Sequence, residues 1–194
     1  MSTSPSLVAF SGSTREESFN KKLVRLAAQA AERAGAKVTL IDLRDFPLPL
    51  YDGDLERKQG IPENANKLRA QLAAADGMLI ASPEYNSSVS AVLKNTIDWV
   101  SRPTETEPAL VAFAGKVVGI MSASPGNLGG LRGLVQLRSI LGNINMLVIP
   151  EQLAVSRAHE AFSESGDLLD SKTKATLDQI AARAVSLAAA IAKR

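Results

Sequence analysis

The sequence predicts an α/β fold: a five-stranded parallel sheet with helices on both faces. Three observations carry that expectation. Short runs of branched and apolar residues alternate along the whole chain with longer stretches of helical periodicity. The runs are continuously apolar, as strands buried on both faces must be. Turn-forming residues punctuate nearly every junction between the two patterns.

Leu7 to Phe10 reads as the first strand, too short for a helix and bounded by turn residues. After a polar loop, Leu23, Leu26, Ala27, Ala30, Ala31 and Ala34 recur at helical spacing, and Gly35 marks the end of that helix. Lys37 to Asp42 is the second strand, which implies a right-handed crossover and parallel pairing. The turn-rich stretch from Arg44 to Ile61 precedes a helix opened by Pro62 with a stripe of Ala65, Leu68, Leu72 and Ala75. Met78 to Ala81 is the third strand. A helix capped by Ser88 is expected next, striped by Val89, Val92, Leu93, Thr96, Ile97 and Val100. Ala91, Asn95 and Trp99, the chain's only tryptophan, lie on an adjoining face that suits either a subunit contact or extra core area. Lys116 to Ser122 is the fourth strand, and the helix from Leu131 to Leu141 has apolar residues on more than one face. Asn145 to Ile149 is the fifth strand, 151–170 is weakly patterned, and Leu177, Ile180, Ala184, Leu187 and Ile191 stripe a long final helix.

A chain of 194 residues fits one domain, 1–194, with room for a core that needs no staples. It has no cysteine, which excludes disulfides, thiolate metal sites and a cysteine nucleophile. The 22 basic and 20 acidic residues leave a formal charge of +2 and are interspersed, so no nucleic-acid footprint is evident. The first residues, Met1 to Ser6, lack the charged and apolar regions of a signal peptide, and no apolar run approaches a membrane span. A cytoplasmic protein without a membrane partner is expected.

In an open parallel sheet the loops after the strands emerge along one edge, where ligands bind. Three are notable. The first, Ala9 to Asn20, passes from a strand through Gly12, Ser13, Arg15 and Ser18 into a helix N-terminus, offering backbone N–H groups, hydroxyls and a cation to a phosphate. It could equally be a plain connection with Ser13 and Glu16 as a capping box. The second runs from Ser82 to Ser88 and the third from Ala123 to Gly130. With strand order 2-1-3-4-5 the crevice opens between strands one and three, so a phosphate would sit in the first loop and a flat ring between the others. Asp42, ending the second strand, stands where a dinucleotide fold holds a ribose hydroxyl, but of the three glycines that fingerprint needs the first loop has only Gly12. His159 has no spaced partner and no metal cluster or nucleophile motif is present, so it reads as structural or exposed.

Gly12-Ser13-x-Arg15-x-x-Ser18-x-Asn20, Pro83-Glu84-Tyr85-Asn86-x-Ser88, Leu93-Lys94-Asn95-x-x-Asp98-Trp99 and Pro125-Gly126-x-x-Gly129-Gly130-x-Arg132 together resemble the NADPH-dependent FMN reductase family, which includes quinone, chromate and azo-dye reductases. The resemblance implies a flavodoxin-like three-layer fold and an FMN-dependent oxidoreductase. NADPH or NADH would deliver hydride to flavin N5 and leave, and a small acceptor such as a quinone, chromate, azo compound or free flavin would then take the electrons, in ping-pong order. It implies that Ser13, Arg15, Ser18 and Asn20 hold the FMN phosphate. Pro83, Glu84, Tyr85, Asn86 and Ser87 would line the ring, and Ser122, Ser124 and Gly126 would close its other side. No side chain is assigned as catalytic, since the flavin carries the chemistry, with Tyr85 and Asn86 nearest the ring. Arg132 is expected to hold either a nicotinamide-nucleotide phosphate or a subunit salt bridge, and a homodimer or homotetramer is expected through helices 89–101 and 131–142. A flavodoxin-type electron carrier is the alternative, although such carriers tend to be strongly acidic; a nucleotide-binding regulator on the same fold is a third reading.

Overall fold

A computed structural model describes residues 4–192; part of the stretch read for a signal peptide, residues 1–3, lies outside the described residues, as do 193–194. Five parallel strands, β1 (Ser6–Ser11), β2 (Lys37–Ile41), β3 (Gly77–Ala81), β4 (Val117–Ala123) and β5 (Leu147–Val155), lie in the order 2-1-3-4-5. Alternation along β1 shows how the layers form. Leu7 and Ala9 face one way, against Leu23 and Ala27 of α1 (Phe19–Arg33) and Ile180 of α7 (Ser171–Ala192). Val8 and Phe10 face the other way. The core on that side also holds Leu68 and Leu72 of α3 (Glu63–Ala74), Leu93 and Ile97 of α4 (Ala91–Val100), and Leu134 and Leu137 of α5 (Leu131–Asn143), the last packed on β4 and β5.

The first helix ends as its sequence dictates. Gly35 takes φ +96°, Ala36 N–H donates to Ala31 O and Gly35 N–H to Glu32 O, the paired bonds of a left-handed helix terminus.

Several elements differ from the sequence reading. The Arg44–Ile61 stretch contains a short helix, α2 (Gly53–Gln59), capped by the Asp52 carboxylate at Asp54 N–H, and a 3₁₀ turn over Leu43–Asp45 capped by Asp42. α4 is capped by Ser90 and not Ser88, and Ser88 instead closes a turn with Tyr85. β5 runs past Pro150 because two extra residues bulge out between the pairs Val118↔Val148 and Ile120↔Gln152, which an edge strand tolerates. The first five residues of the weakly patterned region, 151–155, are therefore strand, followed after a bend by one helical turn, α6 (Ala158–Ala161).

Trp99 resolves its two readings. It is fully buried within the chain, its Nε1–H donating to Pro49 O at 2.8 Å and its ring set edge-on to Tyr51. Asn95 on the same face takes the Tyr51 N–H and donates to Pro49 O. The second face of α4 is thus covered by the 49–51 segment. On α5, by contrast, Leu131 and Val135 remain 41% and 57% exposed. Helix α7 is long and apolar enough to cross a membrane by length and composition alone, but Leu177, Ile180, Ala181 and Ala184 bury one face against α1 and the sheet.

Candidate active site

Three loops at the C-terminal edge of the sheet converge on one cleft. Ser13, Arg15, Ser18, Phe19 and Asn20 come from the first loop and the start of α1; Pro83, Glu84 and Tyr85 from the second; Ala123, Ser124 and Pro125 from the third. The cleft is shallow, about 60 Å³. An enclosed ligand pocket has roughly 300–1,000 Å³, so a large ligand would anchor one end here and lie across the open surface.

The anchoring end is built for an anion. Ser18 is the N-cap of α1, yet its hydroxyl makes no capping bond and stays available to a guest. Phe19 and Asn20 follow, with N–H groups that lack intrahelical acceptors. Ser13 is buried, and its Oγ accepts Arg15 N–H at 3.3 Å, leaving its proton to donate elsewhere. Arg15 has no ion pair among the described residues. The two nearby carboxylates are drawn aside, Glu16 to Arg44 at 2.7 Å and Glu17 toward Lys22 at 3.8 Å, and the first turn of α1 holds no acid. Hydroxyls, a free guanidinium and a helix N-terminus with no acid in its first turn match the oxygens of a phosphate.

Asn20 has another task. Its side chain donates to Ala123 O at 2.8 Å and accepts Ala123 N–H at 2.9 Å, mimicking a strand partner and tying the start of α1 to the end of β4. Only its backbone N–H faces no such commitment. A second brace was not legible in the first loop itself: Ser90 Oγ donates to Gly12 O at 2.5 Å and accepts Leu93 N–H at 3.2 Å. Gly12 permits this approach, since a Cβ there would stand 3.0 Å from Leu93. A serine at a helix start is the sequence signal for such a cap, and Ser88 and Ser90 both offer it.

The second loop is preshaped. Tyr85 and Ser88 exchange backbone bonds of 3.0 and 3.1 Å around Asn86 and Ser87, both at positive φ (51° and 65°). That is the conformation of a type I′ turn, and it projects the half-exposed Tyr85 ring beside the cleft while Asn86 and Ser87 sit at the exposed turn tip. Glu84 anchors the turn from behind. Its side chain is 9% exposed, Oε2 accepts Gly133 N–H at 2.8 Å and Oε1 accepts Arg132 at 2.9 and 3.1 Å. Burial alone would raise the Glu84 carboxyl, but the Gly133 N–H and the Arg132 guanidinium outweigh it and hold it below the usual range. Arg132 thus pairs within the chain.

In the third loop only Ser124 and Pro125 reach the cleft together with Ala123. Gly126 lies outside it and accepts Gly129 N–H and Arg157 N–H. Ser122 is fully buried behind the cleft, its Oγ unpartnered among the described residues, and a Cβ at Gly130 would come within 1.9 Å of it. His159 is half exposed beside Glu160, away from the cleft. Phe19, which stacks on Phe162 with centroids 5.9 Å apart, is a wall of the cleft that periodicity did not single out.

The sequence profile of the NADPH-dependent FMN reductase family matches residues 5–160, which span all three loops. The chain belongs to the NADPH-dependent FMN reductase family. This reductase is 37% identical to an NAD(P)H-dependent FMN reductase of Pseudomonas aeruginosa over 92% of each chain. It is 35% identical to a quinone reductase of Escherichia coli, covering 93% of this chain and 92% of that one. Among solved structures, the NAD(P)H:(acceptor) oxidoreductase FerB of Paracoccus denitrificans superimposes with a TM-score of 0.79 at 26% identity, covering 95% of this chain and 97% of that one. The reductase is accordingly an NAD(P)H-dependent oxidoreductase of flavodoxin-like fold that uses FMN.

Proposed function

We propose that FMN is held with its phosphate in the cleft at the start of α1 and its ring across the Pro83–Ser88 turn, and that the enzyme passes electrons from NADPH or NADH to a small acceptor. Bound there, FMN would supply hydride acceptance and onward electron delivery, two half-reactions in ping-pong order. The protein's own residues bind and orient. Arg15 and the Ser13 and Ser18 hydroxyls take the phosphate oxygens, helped by the N–H groups of Phe19 and Asn20. Pro83, Glu84, Tyr85, Asn86 and Ser87 present the ring edge with backbone groups, and Ser124 meets its far side. Ser122 and Gly126 support that third loop from behind instead of touching the ring. The whole chain, 1–194, acts as a single FMN-binding domain.

The observation that carries this reading is the donor set of the first loop, left uncommitted by the rest of the fold while its acids are paired elsewhere. A shallow, open cleft leaves one ring face to solvent, which suits quinones, chromate, azo compounds or free flavin as acceptors. The exposed Leu131 and Val135 of α5 support a homodimer or homotetramer through that helix. Use of NAD(P)H, a metabolite kept inside cells, supports a cytoplasmic site of action.

The test is an absorption spectrum of the purified protein followed by anaerobic NADPH. Flavin bands that bleach, and return on adding benzoquinone, are expected. Flavin that binds but is reduced by neither nicotinamide would leave an electron carrier. No flavin after reconstitution with FMN would overturn the reading.

A further inference from the structure

The cleft described above uses the β1/β3 side of the sheet edge. On the other side, where β1 meets β2, a second cavity of about 250 Å³ opens beneath α1. Its construction follows from strand alternation. Ser11 shares the α1-facing side of β1 with Leu7 and Ala9, so its hydroxyl is directed into the space under the helix. Ser11 is 3% exposed and its Oγ has no partner among the described residues. Leaving a buried hydroxyl unpaired costs about 1–3 kcal/mol unless something occupies it. Asp42, two positions beyond Leu40 on the same side of β2, forms the roof with Lys21 at 2.6 Å, and this pair is partly buried. Asp42 Oδ1 also accepts Arg44 N–H, which leaves lone pairs on both oxygens and two further donors on Lys21.

We infer that this cavity is a binding site for a nucleoside-sized molecule bearing a vicinal diol. Four features select that class. Lys21 and Arg25 balance Asp42 and Asp45 around the rim, so a neutral guest is preferred over an ion. The Asp42 carboxylate can accept from one hydroxyl of a diol while the Lys21 ammonium donates to the other, with the Ser11 hydroxyl meeting a third polar atom. Val24 is buried, and Leu40, 49% exposed, gives the opposite wall an apolar surface on which a flat base can lie. The volume admits one nucleoside and not a dinucleotide. This site is separate from the FMN cleft, which shares no lining residue with it.

The experiment uses the FMN-saturated full-length protein with ¹³C-labelled Leu and Val methyls, titrated with adenosine and, in parallel, with 2′,3′-dideoxyadenosine. Adenosine is expected to shift the Leu40 and Val24 methyls saturably with a Kd on the order of 1 mM, while the dideoxy compound binds at least tenfold more weakly. Ser11→Ala removes a hydroxyl that has no internal partner, so it is expected to keep its fold while weakening adenosine several-fold. Asp42→Asn should abolish the preference for the diol. Saturable shifts confined to the FMN cleft, equal binding of the two compounds, or no shift up to about 10 mM adenosine would each overturn the inference. Since flavin content is measured on the same samples, failure here is distinguishable from failure of FMN binding.

Discussion

The carboxylate of Glu84 caps helix α5 at the backbone N–H of Gly133, 2.8 Å away, although the two residues are 49 positions apart. Through this one contact the turn that would carry the flavin ring is fastened to the N-terminus of a helix on the next βα unit, with Arg132 closing the other oxygen. A helix N-terminus favours such a carboxylate, and Gly133 allows the approach because a Cβ there would press on Glu84 at 3.2 Å.

Glu84→Ala should therefore loosen the Pro83–Ser88 turn as well as α5. The Gly133 bond lies in a partly buried place and the Arg132 pair is exposed, so the expected loss is about 1–2 kcal/mol. Thermal unfolding should show a Tm lower by about 2–8 °C. Glu84→Gln keeps an acceptor for Gly133 and should recover much of it. An unchanged Tm in the alanine variant would show that the turn holds itself.

The same carboxylate makes a prediction for pH. Its folded value is depressed below 4.5, so the stabilisation it contributes is complete above that pH and is lost as pH falls through the depressed value. Stability measured by denaturant from pH 6 to pH 3 should fall less steeply in Glu84→Gln than in the parent. Parallel curves would assign the acid sensitivity to other carboxylates.

Arg15→Ala should weaken FMN by about 10- to 100-fold, the worth of one charge-assisted contact to phosphate. Riboflavin, which has no phosphate, should bind both proteins alike. Fluorescence titration with the two flavins separates these outcomes, and equal losses for both would move the phosphate away from Arg15.

Gly130→Ala should be among the most damaging single substitutions, because φ +91° disfavours a side chain and the new Cβ would overlap the Ser122 hydroxyl. Adding Ser122→Gly should relieve the overlap but not the backbone strain. Partial recovery of soluble, folded protein by circular dichroism is expected; full recovery would mean that the backbone conformation costs nothing.

Trp99→Phe leaves the Pro49 carbonyl with Asn95 alone and should cost about 1–2 kcal/mol without altering flavin affinity. Denaturant unfolding followed by circular dichroism checks the first part and FMN titration the second.

The order and type of most elements, the parallel sheet, and the three loops along its edge were determined by local pattern alone. Apolar runs, helical stripes and turn residues act within a few positions of one another, and those short-range preferences are what a sequence displays directly. The placement of Arg15, Ser13 and Ser18 belongs to this legible part, since it depends only on lying in one loop before one helix. Tertiary structure decided the rest. Whether Trp99 faced a partner or its own chain depended on where 49–51 folded back. The side chain of Asn20 is held by the end of β4, which takes both ends of its amide and leaves only its backbone N–H for a ligand. Ser90 rather than Ser88 capped α4 because Ser88 was drawn into a turn with Tyr85. Glu84 became a helix cap, and Ser11 a lone hydroxyl under α1, through packing between segments distant in the chain. Polar side chains are short and versatile, and their partners are chosen by which backbone groups arrive within about 3 Å. No local pattern encodes that arrival.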